Sequence, residues 1–307
     1  MMCSWNYHEA TCCHAGLINP DEQEVLRSSH VGVIGMGGVG GVDLVTLARL
    51  GVGHFTIADP DVFEMANINR QYGAMSSTLW QYKVDVMASI VRDINPTVDL
   101  HVMRQPVQLE NIDEFMYGVD VLVDGIDAFA VDTRRMAYRY ARDHGIYALG
   151  AGPVGFSTVW VVFSPNGMTF DEYFDLSDGM DHVDMFAAYI VGMAPKATHR
   201  SYMDLTKVDV ASHRGGSLGL ACQLSGGVVA AEVAKILLGR GPVRCAPCYH
   251  QFDTYWGRLA TGRLRWGNRG PLQRVKRRVF AGVLRTALGG ATGKQKTDTV
   301  SENGGGR

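Results

Sequence analysis

The run His30-Val31-Gly32-Val33-Ile34-Gly35-Met36-Gly37-Gly38-Val39-Gly40-Gly41 decides how this chain folds. Its first five residues have the length and apolar character of a buried strand. Glycines follow at once, and Val42-Asp43-Leu44-Val45-Thr46-Leu47-Ala48 then carries a helical apolar pattern. Strand, glycine turn and helix in that order form the context in which bare backbone N–H groups approach a phosphate, with the positive end of the helix facing the anion. A glycine loop alone is also compatible with an ordinary tight turn. Here a second strand is predicted over residues 54–58 and ends at Asp59, an acid able to accept hydrogen bonds from ribose hydroxyls. Together these features predict a mononucleotide site and leave NAD and ATP both open.

Outward from this unit, strand and helix signals alternate through residue 150. Residues 78–94 read as a helix stopped by Asn95-Pro96, 100–103 and 119–124 as strands, 132–144 as a helix and 146–149 as a strand. Such alternation predicts an α/β fold, a doubly wound, mixed but mainly parallel sheet whose ligand crevice lies beyond the carboxyl ends of the strands. Asp59 and Asp127 both follow strand ends and can share that crevice. Residues 30–150 are thus the Rossmann-like nucleotide-binding half of a domain spanning 30–264. Residues 157–163 are a further strand, 164–216 an insert rich in breakers, 218–238 an apolar helix capped by Ser217, and 249–264 a hairpin that extends the sheet in antiparallel fashion. Residues 1–29 form an arm with a helix start at Pro20. Residues 265–288 read as a basic amphipathic helix, and 289–307 as a disordered tail.

Composition narrows the function. The chain has 307 residues, 46% of them hydrophobic, and a formal net charge of −2, so no global attraction to nucleic acid is expected. Residues 218–238 are interrupted by Gln223, Glu232 and Lys235 and read as a core helix rather than a membrane span. Six cysteines with no signal-like N-terminal run predict reduced thiols and a cytoplasmic location.

The stretch Ala58-Asp59-Pro60-Asp61-Val62-Phe63-Glu64-Met65-Ala66-Asn67-Ile68-Asn69-Arg70-Gln71 resembles the D-x-D-x-V-x-x-S-N-L-x-R-Q motif of the ThiF/MoeB adenylyltransferases, relatives of the ubiquitin-activating enzymes. The resemblance runs over about residues 28–260 and takes in Lys83, Asn95-Pro96, Asp124-Gly125-Ile126-Asp127, Thr133-Arg134 and the helix 219–238. It implies an enzyme that uses ATP and Mg²⁺ to convert a carboxylate into an acyl-adenylate with release of pyrophosphate. It implies a homodimer, and a substrate that is the C-terminus of a small ubiquitin-like protein, a peptide or a tRNA-linked carboxylate. By the same resemblance Gly35, Gly37, Gly38 and Gly40 cradle the nucleotide, Asp61 and Gln71 belong to its site, and Asp59 binds the ribose. Asn67 supplies a hydrogen bond, Arg70 and Lys83 hold the phosphates, and Asp127 holds Mg²⁺. The chemistry suits these types, because two anions must meet and positive charge must neutralise them. The nucleophile, a carboxylate, is already ionised at neutral pH and needs no general base.

The chain departs from the family pattern in three places. No Lys or Arg precedes Arg27, and Thr11-Cys12-Cys13-His14 stands where relatives carry an arginine that reaches the partner subunit's site. Only one C-x-x-C pair exists, Cys245-Ala246-Pro247-Cys248, so zinc is not expected. The insert lacks cysteine, and Cys222 reads as a core thiol, which predicts release of the adenylate rather than a covalent enzyme intermediate. The insert's His182, Lys196, His199, Arg200, His213 and Arg214 are either contacts to the substrate carboxylate or a solvated loop. The basic C-terminal helix is either a solvated face or a weak contact to membrane or an acidic partner. A NAD-dependent oxidoreductase and a catalytically weak binding module are the alternatives.

Overall fold

A computed structural model describes residues 5–204 and 216–298. Helices α1 (Tyr7–Ala10) and α2 (Pro20–Ser28) precede strand β1 (His30–Ile34), helix α3 (Gly40–Leu50) and strand β2 (His54–Ala58). Helix α4 (Lys83–Ile94), strand β3 (Asp99–Met103), helix α5 (Ile112–Met116), strand β4 (Val121–Asp124), helix α6 (Val131–Asp143) and strand β5 (Tyr147–Val154) complete the first half. Strand β6 (Ser157–Phe163), helices α7 (Phe170–Phe174), α8 (His182–Met193) and α9 (Gly219–Leu237), strands β7 (Cys248–Asp253) and β8 (Arg258–Arg263) and helix α10 (Pro271–Asp298) follow.

The strands join in one sheet of order β3-β2-β1-β4-β5-β6-β7-β8. Pairing is parallel from β3 to β5 and antiparallel from β5 to β8. The reversal of strand order at β1 and β4 opens a crevice at their carboxyl ends, where ligands bind in such sheets. Alternation along the strands divides the core. Val31, Val33, Val121 and Val123 face α3, α4 and α9, whereas Leu122 and Ala148 face α5 to α8. This is the doubly wound, mainly parallel sheet with an antiparallel extension that the sequence predicts.

Several boundaries differ from the sequence reading. Helix α4 starts at Lys83 rather than at residue 78, because Val62 pairs with Tyr82 and the Lys83 N–H bonds Asp61 O at 2.9 Å. Ser217 does not cap α9; that role falls to Leu218 without a side-chain bond, while the Ser217 hydroxyl lies 3.8 Å from Cys222 Sγ. Helix α10 continues to Asp298, past the point where the tail was expected to be disordered. Residues 299–307, His213 and Arg214 lie outside the described residues. Helix α9 has the length and hydropathy to cross a bilayer, yet Ala221, Cys222, Val229 and Val233 are buried and the helix packs on α3, β5 and β6.

The arm is fastened to the nucleotide-binding half by polar contacts. Asn19 and Glu22 form a capping box at the start of α2. The Tyr7 hydroxyl donates to Gly51 O at 2.7 Å and accepts from Gln23 Nε2 at 2.8 Å.

Candidate active site

The glycine loop is shaped first by backbone crowding. Gly35 takes φ +89°, a conformation that disfavours side chains, and a methyl there would lie 2.3 Å from Gly125 O. A methyl at Gly40 would lie 1.8 Å from Gly35 O. Gly35, Gly40 and Gly125 therefore bring the ends of β1 and β4 and the start of α3 into direct backbone contact. Gly37 differs: an added methyl would meet only Gln71, at 3.7 Å or more. A methyl at Gly37, just ahead of the amino end of α3, would thus make only ordinary contact, and only with Gln71.

Asp59 braces this loop from below. It is buried, and its two oxygens accept from Met36 N at 2.7 Å and Asp61 N at 2.8 Å. Burial raises its pKa, against the pull of Lys83 and of the two backbone donors. Each carboxylate oxygen keeps capacity for one more donor. Lys83 is itself buried, its Nζ contacts exposed Asp61 at 2.9 Å, and its charge favours the ionised form of Asp59.

The segment between β2 and α4 carries the other predicted polar residues to the same loop. Arg70 Cγ comes within 3.6 Å of a methyl built on Gly38. Its guanidinium donates to Ala66 O at 2.9 Å and Asn69 Oδ1 at 3.1 Å. Gln71 is buried beside Gly37, and its Oε1 has no hydrogen-bond partner. Asn67 Oδ1 accepts from Glu64 N at 2.9 Å, closing a 3-10 turn.

Beyond β4, a buried ion pair sets the loop that carries Asp127. Arg134 Nε contacts Asp124 Oδ2 at 2.7 Å, both side chains being almost wholly buried. Arg134 also donates to Asp127 O at 2.7 Å and to Ile126 O, and Tyr138 OH donates to Asp124 at 3.2 Å. Burial works against the guanidinium's charge, but Asp124 and its other neighbours hold its pKa above the ordinary value. The Asp127 carboxylate is exposed, with Oδ1 accepting from Phe129 N at 2.9 Å. It does not cap α6, whose N-cap is Ala130.

Two buried groups lie behind the loop: Cys222, the core thiol that the sequence predicts, and Asp43, to which the sequence reading gives no role. Cys222 Sγ lies 3.0 Å from a methyl built on Gly38, so the thiol forms the wall behind the glycines. Burial pushes its pKa up. Asp43, in the first turns of α3, is fully buried, and neither carboxylate oxygen has a hydrogen-bond partner. Burial, and then Asp124, raise its pKa well above the ordinary 3.8. A carboxyl whose folded pKa exceeds its unfolded one binds its proton more tightly in the native state. Stability then falls as pH rises from the unfolded value through the folded one. Asp43→Ala is expected to flatten that fall, by up to about 1.4 kcal/mol per pH unit, in urea unfolding curves taken from acid to neutral pH. An unchanged slope would show that Asp43 keeps a normal pKa.

The insert residues separate into two groups. His199 is buried against Gln251, its Nδ1 3.3 Å from Gln251 Nε2, and burial pushes its pKa down to about 4. It is therefore a neutral core residue and not a contact to a substrate carboxylate. His182 is exposed, 3.5 Å from Asp132, and Arg200 is also exposed. His14, the last residue of the Thr11-Cys12-Cys13-His14 stretch, lies with its Nδ1 2.9 Å from Gln23 Oε1 within the arm. Cys245 and Cys248 are free thiols at the turn into β7, and the described residues contain no group of three or more potential metal ligands.

The chain is similar to known proteins in sequence and fold. Residues 12–270 match the model of the ThiF family. The tRNA threonylcarbamoyladenosine dehydratase of Haemophilus influenzae is 34% identical over 154 residues, covering 50% of this chain and 58% of that protein. The SAMP-activating enzyme E1 of Haloferax volcanii is 35% identical over 129 residues, covering 42% of this chain and 47% of that protein. The chain thus spans about half the length of the curated relatives it matches. Among solved structures, Escherichia coli tRNA N6-threonylcarbamoyladenosine dehydratase in complex with ATP superposes with a TM-score of 0.55 at 22% identity, covering 76% of this chain and 95% of that one. Escherichia coli MccB with AMPCPP and MccA gives 0.59 at 16% identity, covering 81% and 67%. With the glycine loop, the acid behind it and the 58–71 motif all in place on the expected sheet, the chain belongs to the ThiF family.

Proposed function

We propose that this chain is an ATP- and Mg²⁺-dependent adenylyltransferase that activates a carboxylate on a small protein or peptide and releases pyrophosphate. The observation that carries this reading is the grouping of polar residues around one loop of bare amides. Gln71, with an unpartnered buried oxygen, lies beside Gly37, Arg70 lies beside Gly38, and Asp59 accepts from Met36 N with Lys83 nearby. Asp127 follows Gly125, which touches Gly35. This donor set fits a nucleoside triphosphate and a hard divalent cation. The amides of the loop and the amino end of α3 would face the phosphates. Arg70 and Lys83 would offset their charge while a second anion approaches, and Asp127 would hold the cation. When bound, the metal would neutralise the departing pyrophosphate. Asp59 would accept from the ribose. An oxidoreductase would leave Arg70, Lys83 and Asp127 without a role.

Isotope exchange between pyrophosphate and ATP, driven by a ubiquitin-like protein or peptide bearing a free C-terminus, tests this directly. Exchange above background supports the proposal. ATP binding without exchange for any carboxylate would favour a binding module, a reading consistent with an N-terminal arm that carries no Lys or Arg ahead of Arg27. Nicotinamide binding in place of ATP would overturn both.

The same segment exposes an apolar surface, with Met65 68% and Trp80 73% accessible, together with Ile68, Tyr72 and Met75. Trp80 also takes φ +68°, a strained conformation for a bulky residue. A surface of this kind next to site residues suits a second copy of the chain. Trp80→Glu is expected to shift the sedimentation coefficient from that of a dimer to that of a monomer. A wild-type protein already monomeric at micromolar concentration would overturn the dimer.

A further inference from the structure

We propose that the outward face of α10 docks onto an anionic lipid surface. The helix has two distinct faces. On the inner one, Ala281 and Leu284 are buried with Ala187 of α8, and Phe280 packs against them. Arg277 contacts Asp175 at 2.6 Å, Arg285 contacts Asp184 at 2.9 Å, and Gln273 Nε2 donates to Val191 O at 3.3 Å. These contacts seat the helix on the body of the protein and use its inner cations internally.

The outer face is apolar and uncovered. Leu272 is 67%, Val275 56%, Val279 62% and Val283 51% accessible. Steps of three, four and four residues align them in one stripe about 16 Å long. Arg278 borders this stripe, and Arg274 lies one turn earlier on the same side of the helix. Both are exposed, and neither has an ion-pair partner among the described residues. No Asp or Glu occurs in residues 271–288. Trp266, 64% accessible, stands at the entry to the helix, and tryptophan favours the polar–apolar boundary of a bilayer.

Charge selects the occupant. A second copy of α10 packed stripe to stripe would bring no acid to Arg274 and Arg278, since residues 271–288 contain no Asp or Glu. A nucleic acid would answer the arginines and leave the valines in water. An anionic bilayer meets both needs, since the stripe enters the headgroup region while the nearby guanidiniums meet lipid phosphates and carboxylates. The contact is peripheral, because the opposite face of α10 is committed to α8.

The test is co-sedimentation of the full chain with vesicles of phosphatidylcholine, with and without phosphatidylserine. Wild-type protein is expected to pellet with the phosphatidylserine vesicles. Partitioning should fall about tenfold on phosphatidylcholine alone, and similarly for Val275→Glu/Val279→Glu and for Arg274→Glu/Arg278→Glu. Raising the salt should also release the protein. All four positions are exposed, so the fold is expected to persist, and an unchanged urea midpoint checks this. Failure of the wild type to bind phosphatidylserine vesicles would overturn the proposal, as would full binding by the valine double variant. A change in sedimentation coefficient for that variant, without lipid binding by the wild type, would assign the face to a second copy. Binding of a tRNA probe that is lost only in the arginine variant would assign it to nucleic acid.

Discussion

Replacing Asp127 with alanine is expected to lower ATP–pyrophosphate exchange by about a thousandfold or more while leaving the protein folded. The carboxylate is exposed, and its one described bond is from Phe129 N at 2.9 Å. Losing that one exposed bond costs about 1–2 kcal/mol, well short of unfolding the protein. The chemical cost is larger because, among the described residues, the neighbouring acid at this strand end is already taken. Asp124, three residues earlier, is committed to Arg134 and Tyr138. Asp127→Asn separates charge from geometry, since its amide oxygen can still accept from Phe129 N. Exchange should fall nearly as far in this variant as with alanine. Turnover within about tenfold of wild type in either variant would remove Asp127 from the metal-binding role.

The largest stability effect is expected at Arg134. Replacing it with methionine should lower the unfolding free energy by about 3–5 kcal/mol, because the Asp124 carboxylate is then left buried without its counter-charge. The guanidinium also holds Asp127 O and Ile126 O, so exchange activity should drop with stability even where the variant stays folded. A second replacement distinguishes the two causes. Asp124→Asn combined with Arg134→Met removes the stranded charge and should recover part of the stability, while activity stays low because the loop carbonyls remain unanchored. Chemical denaturation monitored by tryptophan fluorescence measures the first quantity, and pyrophosphate exchange the second. A loss below about 1 kcal/mol for Arg134→Met would mean that water reaches Asp124 and screens it.

The parts of this structure written in local pattern were legible from the chain. The apolar 30–34 run, the glycines after it and the acid at residue 59 named β1, the loop and β2, because strand burial and turn chemistry act between near neighbours. The 58–71 motif placed Arg70, Gln71 and Asp59 around the glycines. What was missed depends on contacts between distant segments. Tyr82 closes onto Val62, so residues 78–82 leave the helix their apolar pattern suggested. Asp124 and Arg134 were visible as motif letters, yet their pairing needs a helix turned back over a strand end. Asp43 sat in a good apolar helix pattern, and nothing local showed that no partner would meet it. His199 read as one charge in a polar insert, because its cover comes from Gln251 on β7, more than fifty residues away.

The contact among Gly35, Gly40 and Gly125 bears on how a saturation scan of this protein should be interpreted. Intolerance at those three positions reports only that two backbones touch, since a single methyl already collides there. Gly37, where a methyl meets nothing nearer than 3.7 Å, is the informative neighbour. A variant that accumulates normally but has lost activity at that position marks where the ligand itself fills the space.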